Sequence, residues 1–226
     1  TPTTSSAASD VYKRQPIVSP KPSQFLHAPN GLLKLNRCKD GSMKSIPSNS
    51  YLLEKNISLL ADAKNTSPDK LTVCILERSR HEQMISSLKK MNVKLKLISD
   101  GDVSGVIYIV DKNSPVDMYM GIGGGPEGVL AATALDAFNC KFQGRFLFKT
   151  DEDIKRANNM GIEDLNKKYD LNEIVKGESI FCATGITSGD LVNGVKCENG
   201  KFVTETLVTH KNSSISIVKK EVPILD

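Results

Sequence analysis

VDMYMGIGGGPEGVLAATALDAF (Val116–Phe138) opens as an apolar strand, VDMYMGI, turns through glycines and closes as a strongly apolar helix, Pro126–Phe138. A strand feeding directly into a helix is the repeating unit of an α/β fold. The flanking sequence repeats it. LTVCILE (71–77) reads as a buried strand, His81–Met91 as an amphipathic helix and VKLKLIS (93–99) as a second strand, and GVIYIV (105–110) is a further apolar run. Upstream, Ser50–Lys64 carries Leu52, Leu53, Ile57, Leu60 and Ala61 at helical spacing. Downstream, Phe146–Phe148 suits a short strand, and Thr150–Met160 begins with an N-cap residue and an acidic first turn. SIFCATG (179–185) is a last buried strand before an antiparallel-looking tail, KFVTETLVTH and SSISIVKK. The fold class expected is a layered αβα domain with a mixed sheet over residues 25–226. Ligands are expected beyond the carboxyl ends of its strands. Residues 1–24, rich in Ser, Thr and Pro without apolar period, read as a disordered leader, the first fifteen looking foreign to the rest.

Composition narrows the function. The chain has 226 residues, 39% hydrophobic and 25% charged, enough for a sizeable core. Aromatics are 5% and Trp is absent, so stacking platforms for nucleic acid are scarce. A net charge of +4 without a long basic run leaves no nucleic-acid footprint. Five widely spaced cysteines with no C-x-x-C pair read as free thiols in a reducing cytoplasm. No apolar run is long enough to span a membrane, so no membrane partner is expected; a homo-oligomer is left open.

Four polar motifs fall at strand ends. Gly123-x-Gly125-x-x-Gly128 matches a dinucleotide fingerprint in form, but Glu127 would stand where a pyrophosphate binds. A divalent cation bridging that carboxylate to a phosphate removes the repulsion. The plainer alternative is a first-turn glutamate complementing the helix dipole. No acidic ribose-binding residue stands about twenty positions on, which argues against a dinucleotide. In Glu77-Arg-Ser-Arg-His81, Arg78 and Arg80 flank Ser79 and can both face a cleft if the chain leaves the pleat, their guanidinium forks suiting phosphate. Solvated loop arginines are the alternative, and His81 reads as a helix start. Asp100-Gly101-Asp102 suits hydroxyl or cation recognition, and equally a turn with an N-cap. Ala183-Thr-Gly-Ile-Thr-Ser-Gly-Asp190 offers hydroxyls and amides to a ligand.

In their order, with Gln143-Gly-Arg145 between the third and the last, these motifs resemble the class II fructose-1,6-bisphosphatases of the GlpX type. The resemblance runs from about Leu26 to Ile217. It implies a fold like that of the lithium-sensitive sugar phosphatases and metal-dependent hydrolysis of the 1-phosphate of fructose 1,6-bisphosphate, a step of gluconeogenesis. It implies manganese or magnesium, with more than one ion in the complete enzyme, and some members also take sedoheptulose 1,7-bisphosphate. Carried over by position, Glu127 is a metal ligand. Arg78, Ser79, Arg80, Asp100, Gly101, Asp102 and Gly124 contact the substrate, with the arginines on phosphate and the two aspartates on sugar hydroxyls. The sequence departs from the pattern in three places: Ser79 replaces a proline, Glu77 an aspartate, and Leu32 lies near an expected tyrosine. The family's Asp-Pro-x-Asp-Gly metal motif is absent, so the catalytic residues are expected in an N-terminal half outside this chain. The expectation is a largely inactive fragment of a cytoplasmic bisphosphatase, with a non-catalytic sugar-phosphate-binding or regulatory subunit as the alternative.

Overall fold

The computed structural model describes residues 13–14, 17–18, 32–38 and 53–224, except 112, 139, 141, 149, 178, 190 and 211–214. In chain order the strands and helices are β1 (Lys13–Arg14), β2 (Ile17–Val18), β3 (Leu32–Cys38), α1 (Leu53–Ala63), β4 (Thr72–Leu76), α2 (Glu82–Lys90) and β5 (Lys94–Ile98). They continue with α3 (Asp102–Ile107), β6 (Met118–Gly124), α4 (Gly125–Asp136), β7 (Gln143–Leu147), α5 (Asp151–Asn159), β8 (Lys168–Asp170) and α6 (Leu171–Ile174). The chain closes with β9 (Ile180–Gly185), β10 (Lys196–Glu198), β11 (Lys201–His210) and β12 (Ser216–Pro223).

Six strands form a mixed sheet in the order β5-β4-β6-β3-β7-β8. β4 runs parallel to both β5 and β6, while β3 is antiparallel to β6 and β7. One face of this sheet, with Val73, Met118 and Met120, is covered by α1 and α2 through Leu53, Ile57, Leu60, Ala61 and Leu88. Those α1 positions recur at the spacing of one helical face, which is why the sequence pattern sufficed to place it. The other face, with Cys74, Tyr119 and Phe146, packs on α3 and α4.

The layered α/β expectation holds, with one layer more than foreseen. The antiparallel tail pairs with β9 to build a second sheet, whose Phe181, Ala183 and Leu207 join the same core as α4. α4 thus lies between two sheets, and its buried run from Gly128 to Asp136 leaves no polar face to water. Within this sheet β12 is exposed along its whole length. The Ile224 amide donates to Gly200 O, which turns the adjacent Pro223 and its missing N–H toward the open edge of a strand that also carries Lys219. Lysine and proline at an edge discourage further pairing.

The apolar run 105–110 enters α3, whose Gly105 lets that helix settle on the Tyr119 ring; a β-carbon there would overlap the ring and Ile98. One sequence expectation needs amendment. Within the supposed leader 1–24, Lys13–Arg14 and Ile17–Val18 are strands paired antiparallel with β9. The rest of 1–24 lies outside the described residues, as do Pro47 and most of the segment 27–33.

Cys74, Cys182 and Cys197 are free thiols, as the cysteine reading expects, and burial pushes Cys74 up to about 12. A thiol held protonated in this way is packing material and not a nucleophile.

Candidate functional site

Because β5, β4 and β6 are parallel neighbours, their carboxyl ends open on one edge of the sheet. The Asp100–Asp102 segment follows β5, the arginine turn follows β4, and the glycine segment ends β6. Three of the four motifs therefore meet, with the arginines in the middle.

The chain leaves the pleat at once after β4. The Arg78 amide donates to Leu76 O at 3.0 Å, and Ser79–His81 form a 3-10 turn leading into α2. That departure is the condition for both arginines to face a cleft. Arg78 is half-buried and reaches Asp100, Nη2 to Oδ1 at 3.4 Å. A partly exposed pair of this kind contributes about 0–1 kcal/mol, so an incoming phosphate can displace it cheaply. Arg80 is exposed and donates from Nε to Ile122 O at 2.6 Å, leaving its terminal nitrogens to ligand or solvent. Ser79 is exposed between them. An open groove of about 560 Å³ lies beside the turn, lined by Arg78, Ser79, Ser86 and Lys89 among others.

Gly101 adopts φ 86°, a left-handed conformation that a residue with a β-carbon takes only with strain, and it caps α3. Asp102 is the first residue of that helix. The turn reading of this motif therefore holds: the glycine makes the turn, and Asp100 faces the arginine.

The glycine segment is not a loop. Gly121 to Gly124 are paired in β6, and α4 starts at Gly125 with Gly124 as N-cap, so Pro126 is its second residue and Glu127 its third. No glycine of this junction has positive φ. A β-carbon on Gly124 would meet Glu127 Oε2, the far end of a flexible side chain that can swing aside. The glutamate folds back over the helix start, as third-position acids commonly do. That posture suits the dipole reading and the metal-ligand reading alike.

His81 is the residue whose role the sequence concealed. It is fully buried, its Nδ1 lies 2.8 Å from Leu76 O, and the Ile122 amide donates to its Nε2 at 2.8 Å. Sequence reading made it a helix start, and it does precede α2; the bond to Leu76 is local, but the bond to Ile122 arises only once β4 and β6 are neighbours.

The fourth motif stands apart in the second sheet. Thr184 Oγ1 bonds Thr206 Oγ1 at 2.8 Å, Ser188 Oγ accepts the Gly194 amide, and the Asp190 position lies outside the described residues. Glu205 clamps this loop, accepting the Asn193 amide and side chain through Oε2 and Lys219 through Oε1. The Asn193 amide, then Lys219, hold the Glu205 carboxyl down to about 2. The folded state therefore binds this proton less readily than the unfolded chain does. The resulting stability is present above the ordinary glutamate range and lost as pH falls from about 4.5 through about 2. Thermal melts across that window should show a steeper acid decline for the native chain than for Glu205→Gln. Superimposable pH curves would refute the clamp.

Arg145, in the Gln143-Gly-Arg145 motif, stands in register opposite Lys168 on one side and Lys34 on the other. Burial and the Arg145 charge depress the Lys168 amine.

Comparison with known proteins extends this geometry. The family described as "Bacterial fructose-1,6-bisphosphatase, glpX-encoded" matches residues 39–221. The D-fructose 1,6-bisphosphatase class 2/sedoheptulose 1,7-bisphosphatase of Synechococcus sp. (strain JA-3-3Ab) is 35% identical over 176 residues, covering 72% of this chain and 51% of the relative. The protein of the same description from Prochlorococcus marinus (strain MIT 9312) is 36% identical over 186 residues, covering 76% and 56%. The chain spans about half the length of the curated relatives it matches.

Proposed function

Because this chain belongs to the bacterial, glpX-encoded fructose-1,6-bisphosphatase family, we propose that it binds a sugar bisphosphate at the open ends of β5, β4 and β6. The observation that carries the reading is the arginine turn seated between the other two motifs and tied to the glycine strand through Ile122. In this reading Arg78, Arg80 and Ser79 hold a phosphate, Asp100 and Asp102 accept sugar hydroxyls, and Gly101 and Gly124 complete the substrate contacts. Arg78 exchanges Asp100 for phosphate on binding, which frees the Asp100 carboxylate for a hydroxyl.

The reaction this reading proposes for a complete site of this kind is hydrolysis of the 1-phosphate of fructose 1,6-bisphosphate to fructose 6-phosphate and phosphate. Manganese or magnesium, bound in part by Glu127, would polarise the phosphoryl group and activate water. Glu127 suits such an ion as a hard oxygen donor at a helix start facing the same edge. Among the described residues no three His, Cys, Asp or Glu side chains are grouped to hold a metal. One carboxylate does not make such a cluster, and this chain alone is proposed to bind without turnover. A cytoplasmic setting fits the free thiols, and among the described residues no helix is long and apolar enough to cross a membrane.

Calorimetry with fructose 1,6-bisphosphate and a phosphate-release assay with manganese test this reading together. Saturable binding without phosphate release is expected. Absence of binding at any manganese concentration would sink the site, and turnover matching a full-length relative would sink the claim of incapacity. Binding indifferent to metal would favour a sugar-phosphate-binding subunit.

A further inference from the structure

The arginine turn and the glycine strand could each fold correctly and still sit at the wrong distance from one another. Two connections join them, and both end on Ile122. Arg80 Nε donates to its carbonyl at 2.6 Å, and its amide donates to His81 Nε2 at 2.8 Å. The other ring nitrogen lies 2.8 Å from Leu76 O, the last residue of β4. Since a carbonyl only accepts and the Ile122 amide only donates, these two bonds together fix the neutral ring with its proton on Nδ1. The Ile122 carbonyl also lies 3.1 Å from Nε2, but in this tautomer Nε2 has no proton to give it.

From this geometry we infer that His81 is a positioning residue: its Nδ1–H tautomer latches the end of β4 to Ile122 and so sets the spacing between Arg78-Ser79-Arg80 and the Gly123–Glu127 junction. The inference rests on the sugar-phosphate reading of that edge, and it adds a residue that touches no ligand. Protonation reverses the latch. A proton on Nε2 removes the acceptor of the Ile122 amide and creates a donor beside the Ile122 carbonyl, which already serves Arg80. Arg80 and the imidazolium then compete for one oxygen. Burial disfavours the charged ring, and the charges of Arg80 and Arg78 in its own turn oppose it further, whereas β4 and β6 meet the ring with two carbonyls and one amide. Glu82, next in sequence on α2, is exposed. The latch is therefore closed at neutral pH and opens on the acid side of the ordinary histidine range.

The test is a pH titration of the ¹⁵N-labelled chain by NMR, with affinity for fructose 1,6-bisphosphate measured in parallel on the native chain, His81→Gln and His81→Phe. The expected result is an Nδ1–H pattern for His81, with the Ile122 amide and Arg80 Nε signals moving at the same midpoint as the ring. His81→Phe should weaken binding about tenfold, and His81→Gln, which can still accept the Ile122 amide, should recover most of it. Ligand ionisation is common to all three proteins, so the native chain should show one acid-side loss of affinity that His81→Gln lacks. Ile122 signals indifferent to the ring, or coincident pH profiles of native and Gln chains, would overturn the latch. If the native chain bound no bisphosphate at any pH, the site reading would fail, and the Ile122 and Arg80 signals would still decide the latch. If both variants failed to fold, the native titration alone would decide it.

Discussion

Replacing Arg78 and Arg80 together by alanine is expected to weaken binding of fructose 1,6-bisphosphate by at least about a hundredfold. A hydrogen bond to a charged group contributes about 1.5–3 kcal/mol, and about 1.4 kcal/mol is a factor of ten. Removing one such bond from each arginine gives the hundredfold as a lower bound. Little of this should appear as instability, because Arg80 is exposed and the Arg78–Asp100 pair is only partly shielded. Paired Arg→Lys replacements keep the charge but lose the planar fork, so they should fall between the native chain and the alanine variant. Calorimetry at two salt concentrations would check the series. Equal affinities for native and alanine chains would remove the arginines from the site.

The largest effect on stability is expected from Phe181→Ala. Phe181 is fully buried on β9, in the core that joins the antiparallel sheet to α4. Truncating such a ring costs about 3–5 kcal/mol, transfer and cavity terms together. Domains are stable by about 5–15 kcal/mol, so the variant should retain a marginal fold or none. Urea unfolding followed by circular dichroism should show a large fall in midpoint or no cooperative transition. A loss under about 1 kcal/mol would mean that the second sheet does not depend on this ring.

These two predictions differ in how far the sequence alone could lead to them. The arginines were visible as a spaced pair at the end of an apolar strand. The importance of Phe181 depends on which sheet its strand joins, and SIFCATG by itself looked like one more strand of a single layer. β9 instead pairs with β11, whose partner β12 follows it in the chain, so the tail builds its own sheet and covers the far side of α4.

The glycine segment shows the same division. Its residues announced a strand, a helix and a junction between them, and the helix proved as apolar as it read. The sequence suggested a turn through the glycines between strand and helix. In the structure Gly121 to Gly124 remain in β6 without positive φ, and the Glu127 carboxylate lies over Gly124. That contact comes from a side chain three residues on, and no pattern of glycines reveals it.

The sequence by itself determined the α/β alternation, α1, α2, α4 and α5 to within a few residues, and the candidate arginines, aspartates and glutamate. It could do so because apolar periodicity, caps and short polar motifs are local properties of the chain. Tertiary structure alone decided that β4 lies between β5 and β6, that the tail forms a second sheet, and that His81 faces Ile122 from a position 41 residues away. Each of these depends on strand order, and strand order is set by how apolar faces are shared among all the layers, which no local stretch of sequence records.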